Sequence, residues 1–435
     1  MMKKILFICS PSIALMDTVI PVLDDIKDNY EINILIPKSG KGLFDYNKDN
    51  NLIKIAKKIT RNIYVQKNYS QCYKYTFNDF LFLTKQNSIL NLITSKICKL
   101  LKMESNIIST SIINLFLNIK NKFIKKNEVA YKELFHSHSL LIYDVGEEKK
   151  KEFRKLSKIF YNKPKISLFH GSDYKISNQK NSTTKIKVDN NLVQLLWSKD
   201  IEEKNHYTRQ LTIKNFENTG CPKSDKQWIK KFKKSTFENK KKNVFLISRE
   251  SNNTFFSLNK KRDYLKNIKK IIIDKLKLRL IIKLHPRENS SVGKYFYSNI
   301  FGIENYNKKW FFSNDNSYSI GKSSNFAISF YSGVSIDLLN LNVPTIEFLK
   351  LTKDDLKYHL NSTFKKNNIF QFQITYKGLA LHATNIKELE KHALSILNNR
   401  KIVQDKLQNK YKKLYIQKNQ IRNTKNIIRK IIKSK

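Results

Sequence analysis

Short apolar runs alternate with longer stretches of helical spacing along most of the chain. Residues 3–9 (KKILFIC) set five apolar positions behind two lysines, and residues 31–37 (EINILIP) repeat the pattern after a polar stretch rich in Asp and Lys. Runs this short and continuous fit strands buried on both faces of a parallel sheet, joined by helical crossovers. The alternation returns with a strand in 139–146 (SLLIYDVG) and a helix over 147–160 carrying Phe153, Leu156 and Phe160 on one face. Strands in 165–171 (KISLFHG) and 192–198 (LVQLLWS), a helix to about residue 210 and a strand near 215 complete this series.

A second series starts at 243–250 (NVFLISRE), with a helix over 260–277, strands in 278–286 and 325–333, a helix over 334–342 and a strand in 344–349. Between the two, residues 223–243 are polar and basic without strand periodicity, which marks a linker or a bridging helix. Helical spacing also predicts helices over 88–126. Residues 401–435 predict one long helix with Leu407, Tyr411, Leu414, Ile421, Ile428 and Ile432 in a single stripe. The expected architecture is α/β, with two Rossmann-like domains, a cleft between them and a C-terminal helix. Its expected parts are 1–222 for the acceptor, the linker 223–243, 244–385 for a nucleotide donor, and basic helices over 386–435.

Composition narrows the function classes without choosing one. At 40% hydrophobic and 12% aromatic residues, the 435-residue chain is too apolar for disorder and long enough for two or three domains. A net charge of +47 attracts polyanions: nucleic acid, anionic lipid or phosphorylated small molecules. The abundance of Lys, Asn and Ile is equally what A/T-rich codons specify. Cys9, Cys72, Cys98 and Cys221 lie far apart with no CxxC pair, which implies a reducing compartment and neither a disulfide framework nor a zinc site. The N-terminal run imitates a signal peptide, but Pro11 and Ser12 interrupt it and it reads as a first strand. No stretch has the ~18 unbroken apolar residues of a membrane span.

Ligands of open parallel sheets lie past the carboxyl ends of the strands, so polar residues there carry most weight. His285 ends one apolar strand, and Pro286 turns the chain outward so that an imidazole can donate to a phosphate oxygen; Arg287 follows. Ser332 and Gly333 turn from a strand into a helix, with Ser335 offering a hydroxyl and Asp337 a ribose acceptor. His170, with Gly171 and Ser172, ends a strand of the first series and is a candidate base, as are Asp144, Glu147 and Glu148. Each of these also has a structural reading: a His in a tight turn, Ser-Gly as capping, acids suited to a helix dipole. Gly220 in NTGCP reads more readily as a hinge, Cys221 as packed, and Ser248 and Arg249 follow a strand end. His136 and His138 lack a third ligand nearby, so no metal is expected. The chain has neither GxGxxG nor GxxxxGK[ST].

The ordered set HGS at 170, TGCPKSD at 219, KLHPRE at 283 and SFYSGVSIDLLNLNVPTIEF at 329 resembles the motifs of GT-B glycosyltransferases of bacterial surface polysaccharides. Nearest in pattern is the group of CDP-glycerol glycerophosphotransferases and capsule-biosynthesis enzymes, with UDP-N-acetylglucosamine 2-epimerases further off. The resemblance runs from about residue 139 to 350. It implies that His285, Ser332 and Gly333 hold the donor's phosphates and that His170 is a base or phosphate ligand. It implies metal-independent displacement, from a nucleotide-sugar or CDP-polyol donor, onto a saccharide or lipid-linked acceptor, with no cofactor. Ser332-Gly333 and Ser172-Asp173 depart from the group's usual Ser-Ser and its usual continuation after His-Gly, so the donor stays open. The expected place is the cytoplasm, at the inner face of a bacterial plasma membrane if the basic tail docks on anionic lipid; the other reading of that tail is a stripe packed on the protein. The alternatives are a nucleic-acid-binding protein using its basic surface, although no specific nucleic-acid motif is present, and a 2-epimerase-like enzyme.

Overall fold

The computed structural model describes residues 2–9, 13–36, 50–68, 70–79, 127–149, 153–154, 158–160, 162–168, 185–208, 211–235, 242–251, 256–285, 288, 290–353, 355 and 363–434. The helices expected over 88–126, and His170, Gly171, Ser172, Pro286 and Arg287, lie outside these residues.

The strands are β1 (Lys4–Ile8), β2 (Glu31–Ile36), β3 (Thr60–Gln66), β4 (Gln71–Thr76), β5 (Asn127–Ala130), β6 (Leu140–Tyr143), β7 (Lys165–Ser167), β8 (Leu192–Leu196) and β9 (Asn215–Asn218). They continue with β10 (Asn243–Ile247), β11 (Arg279–Lys283), β12 (Trp310–Phe312), β13 (Phe326–Ser329), β14 (Thr345–Phe348), β15 (Thr363–Lys366), β16 (Ile369–Phe372) and β17 (Leu381–Ala383). One sheet is ordered β5-β4-β3-β2-β1-β6-β7-β8-β9, a second β12-β11-β10-β13-β14-β17, and β15 pairs with β16 alone. The chain forms two compact units. The first holds residues 1–170, 188–194 and 425–435, the second 171–187 and 195–424.

In the second unit every pairing of the six-stranded sheet is parallel. Numbered within the unit, its order is that of a dinucleotide-type Rossmann sheet, 3-2-1-4-5-6, with the reversal of strand order between β10 and β13. The strands β10 and β13 are buried over their whole length, which is why residues 244–247 and 326–328 read as unbroken apolar runs. Phe245, Ile281, Ile320, Ala327 and Leu338 form a core cluster beneath them. Residues 223–243 carry the short helix Lys226–Lys230, whose Trp228 is fully buried within this unit.

The first unit repeats the order in β3-β2-β1-β6-β7-β8, with the reversal between β1 and β6. It adds an antiparallel extension, β3 to β4 to β5, which the sequence reading did not foresee. Only Ile63 and Tyr64 of β3 and Cys72 and Tyr75 of β4 are buried among its apolar positions, too few for a continuous run. Met16, Val19, Ile20 and Leu23 of the helix Ile13–Ile26 are buried over the core.

The long C-terminal helix is two helices, Ile386–Leu414 and Gln420–Lys433, which corrects the single helix expected over 401–435. Tyr415 turns extended and bridges Ser198, the Lys199 amide donates to the Leu414 carbonyl at 2.9 Å, and Asn419 adopts a φ of 58°. Backbone pairing with a neighbouring segment here replaces helical hydrogen bonds. Leu407, Tyr411, Ile421, Ile428 and Ile432 are buried and Leu414 is half-buried, so most of the apolar stripe is covered by protein. No helix among the described residues is long and apolar enough to cross a membrane.

His136 and His138 separate. His136 is exposed, while His138 is buried: its Nδ1–H donates to the Leu134 carbonyl and its Nε2 accepts from Asn33 Nδ2 at 3.0 Å. Burial drives its pKa down to about 4. Above an unfolded-state pKa of ~6.5 both states are neutral and the bonded imidazole contributes fully. As pH falls from there toward 4, the unfolded chain takes up a proton that the native one refuses, so stability is lost, by about 3 kcal/mol at most. Urea melts between pH 7 and pH 4 should show this slope in the wild type and a flatter one in His138→Gln.

Candidate functional site

The reversal of strand order in the second unit opens a crevice at the carboxyl edge between β10 and β13, where such sheets take their ligands. Three loops leave that edge side by side, because β10 pairs with both β11 and β13. Ser248 and Arg249 follow β10, His285 follows β11, and Tyr331, Ser332 and Gly333 follow β13. Side chains tie the loops together. Arg249 Nη1 donates to the Tyr331 carbonyl at 2.7 Å, with its guanidinium 5.1 Å from the Tyr331 ring centroid. The Ser248 amide donates to the Lys283 carbonyl at 3.0 Å, and its hydroxyl bonds Tyr297.

Beneath them lies a buried ion pair. Lys261 Nζ donates to the Arg249 carbonyl at 2.8 Å and pairs with Glu288. Glu288 in turn accepts from the His285 amide at 2.8 Å, and its own amide donates to the His285 carbonyl at 2.8 Å. Burial pulls the Lys261 pKa down while the Glu288 carboxylate opposes the shift. A single lysine thus joins the loop of Arg249 to the loop of His285. Sequence reasoning missed Lys261 and Tyr297, since one sits in a helix among many lysines and the other on a different helix. Glu288 was within reach, three residues beyond His285 in the same motif.

Tyr331 has a φ of 76°, a strained conformation for a bulky residue, and its ring stacks on Phe372 with centroids 3.7 Å apart. Strain of this kind collects where surrounding structure fixes a loop for a purpose. Ser332 Oγ accepts from the Val334 amide at 3.3 Å, and Ser332 and Gly333 are half-buried at the mouth of the turn. Ser335 and Asp337 are buried in the helix Val334–Leu339. Asp337 pairs with Lys223 at 2.9 Å, burial raising its pKa and Lys223 opposing that. Its carboxylate is thereby committed to the protein's own lysine.

In the first unit, Asp144 and Glu147 follow β6 at the reversal between β1 and β6, the corresponding place in that sheet. Asp144 is buried and accepts from the Gly146 amide at 2.7 Å, and the Val145 amide donates to Ser167 Oγ at 2.8 Å. Glu148 is buried and accepts from Tyr143 Oη at 3.0 Å. Burial first and Glu147 second push the Cys9 thiol pKa well up, so Cys9 is neutral. Gly220 lies elsewhere, in the second unit, with a φ of 79°; a Cβ there would meet Gln420 Cγ at 2.6 Å and Ile416 Cβ at 3.1 Å. Backbone conformation and close packing require glycine at this position. Cys221 beside it is buried, which raises its pKa to about 12. Among the described residues no group of three or more His, Cys, Asp or Glu side chains is placed to hold a metal ion.

No protein-family model matches the chain, and no curated protein matches it in sequence. Solved structures match it over nearly their whole length. A Listeria monocytogenes protein assigned as a UDP-N-acetylglucosamine 2-epimerase is 12% identical with a TM-score of 0.56, covering 99% of this chain and 97% of its own. The wall teichoic acid polymerase TagF is 13% identical with a TM-score of 0.53, covering 100% and 90%. The UDP-GlcNAc 2-epimerase of Neisseria meningitidis, bound to UDP-GlcNAc, is 10% identical with a TM-score of 0.50, covering 99% and 100%. These likenesses show the fold: α/β with two Rossmann-like units, of the GT-B type.

Proposed function

We propose that the chain is a transferase that moves a sugar or polyol-phosphate group from a nucleotide-activated donor to a surface-polysaccharide or lipid-linked acceptor. The observation that carries this reading is the junction of three loops at the strand-order reversal of the second unit. There Arg249, His285 and the Ser332-Gly333 turn converge and are held by the Lys261–Glu288 pair. A cationic side chain, an imidazole and a serine turn at one sheet edge are groups that bind a nucleotide's phosphates. The fold shared with TagF and with an epimerase bound to UDP-GlcNAc supports the same class of donor.

The acceptor hydroxyl attacks the transferred group and forms the new bond to it, while that group's bond to a phosphate oxygen of the leaving nucleotide breaks: UDP leaves a sugar donor, and CMP leaves a CDP-polyol that gives up its polyol phosphate. The electron pair leaves with that phosphate, where Arg249 and His285 stabilise the growing charge. The hydroxyl proton passes to a base, for which His170, Asp144 and Glu147 are the candidates. A CDP-linked polyol and a UDP-sugar both fit this scheme. An anionic inner-membrane face, where lipid-linked acceptors lie, is the expected working place.

A second reading, epimerisation of a UDP-sugar, is favoured by the two epimerase likenesses. One set of measurements tests both. In a thermal-shift panel of CDP, UDP and their glycerol and sugar conjugates, a ligand that binds only the native state raises the melting point, by about 2.7 kcal/mol of stabilisation at 100 times its Kd. At least one should do so with the wild type and fail with Arg249→Ala. Product analysis without any acceptor then separates the readings, since only an epimerase turns UDP-GlcNAc alone into its C2 epimer with the nucleotide still attached. If no ligand in the panel moves the transition of a cooperatively melting protein, the donor-site reading is wrong.

A further inference from the structure

A second cationic feature lies in the second unit, apart from the loops described above. The hairpin of β15 and β16 turns through Asn367 and Asn368, with φ of 49° and 60°. This is the two-residue arrangement that requires left-handed residues at both central positions and that asparagine tolerates. The turn fixes Lys365 and Lys366 at the hairpin tip. Lys365 lies over the Phe370 ring, 5.9 Å from its centroid, and Phe364 stacks on Tyr376 at 4.4 Å and 16°. After the short helix Gln373–Tyr376, Gly378 turns with a φ of 71°; a Cβ placed on it would lie 3.7 Å from Lys410 Cγ. The last turns of the helix Ile386–Leu414 thereby come alongside.

These pieces border an open groove of about 670 Å³ lined by Lys365, Lys366, Lys377, Lys410, Lys413 and Tyr376, with no carboxylate among its lining residues. Lys377 is anchored by an ion pair with Asp200. Among the described residues, Lys366, Lys410 and Lys413 have no carboxylate within ion-pairing distance. Lys365, Lys366, Lys410 and Lys413 around one groove repel one another, Lys377 being balanced by Asp200, and an anion entering it relieves that repulsion. The volume is that of a drug-sized ligand, so it accepts more than one phosphate. Lysine offers compact point charges suited to phosphate, and the partly exposed Tyr376 ring, backed by Phe364, supplies an apolar wall for the carbons between phosphates.

We propose that this hollow binds a chain carrying two or more phosphate groups, at a site separate from the donor loops. The inference does not use the donor reading and stands or falls apart from it. Two sources offer this chemistry, a free phosphate-bearing chain and the headgroups of anionic lipid. Inorganic tripolyphosphate probes the first and phosphatidylglycerol vesicles the second.

Calorimetric titration of the full chain with tripolyphosphate at physiological salt should show saturable binding that saturating CDP and UDP leave in place. The variant Lys366→Glu, Lys410→Glu, Lys413→Glu should weaken it at least tenfold. The control Lys226→Glu, Lys230→Glu, Lys266→Glu, which removes the same charge from exposed helix positions, should weaken it far less. Vesicle co-sedimentation lost in the first variant and kept in the control assigns the lipid as source; tripolyphosphate binding without vesicle binding assigns the free chain. Equal losses in the two variants, or no saturable binding by the wild type, overturn the proposal. Far-ultraviolet circular dichroism confirms that both variants are folded.

Discussion

The variant His285→Ala is expected to turn over the nucleotide donor about 100-fold more slowly, or worse, with the melting temperature nearly unchanged. The imidazole is half-buried at the end of β11, and the bonds that shape its loop run from its backbone amide and carbonyl to Glu288. Removing the side chain leaves those bonds in place and, on the proposed donor reading, deletes one donor to the phosphate. A group that stabilises departing charge acts mainly in the transition state, so kcat should fall more than KM rises. Steady-state kinetics with the donor found in the ligand panel provide the check. Near-normal kcat would remove His285 from the site, whatever the panel shows.

The second large effect is expected on stability. Lys261→Met strips from a buried carboxylate, which also holds the His285 amide, the cation it pairs with among the described residues, and breaking a buried pair from one side costs about 3–5 kcal/mol. Replacing both partners, Lys261→Met with Glu288→Leu, should recover a good part of that loss, since the uncompensated charge is gone. Donor binding should stay weak in the double variant, because the His285 amide and the Arg249 carbonyl both lose a partner. Urea melts separate the single from the double variant, and the same thermal-shift panel reads the binding. Equal stability of the single variant and the wild type would mean that the pair does not hold the loops.

Much of the second unit was legible before any coordinates. Each of β10, β11, β13 and β14 is short, buried along most of its length and mainly apolar at its centre, and the polar residues that follow the first three, Ser248, His285 and Ser332, fall at the sheet's carboxyl edge as the α/β rule requires. The strands β15, β16 and β17 were not legible, being three or four residues long with mixed polarity, and β12, though all aromatic, is only three residues long. The antiparallel β3–β4 pair escaped for a related reason: its alternation is weak and lies within a stretch dominated by Lys and Asn. The apolar stripe of the C-terminal segment was read correctly as a stripe. Its helix was not read as broken, because the bridge from Tyr415 to Ser198 joins segments more than two hundred residues apart.

What the sequence alone determined is the alternation of buried strand and crossover helix, and with it the edge at which functional side chains gather. A strand covered on both faces must be apolar throughout, and a helix covering it must be apolar along one side, so both leave a local trace. Only the tertiary structure decided strand order, the pairing of Lys261 with Glu288 across 27 positions, and the capture of Asp337 by Lys223 across 114. An ion pair is made by whichever charges the fold brings within reach. In a chain with 83 Lys and Arg, the lysine that will be buried looks like all the others until the strands are in place.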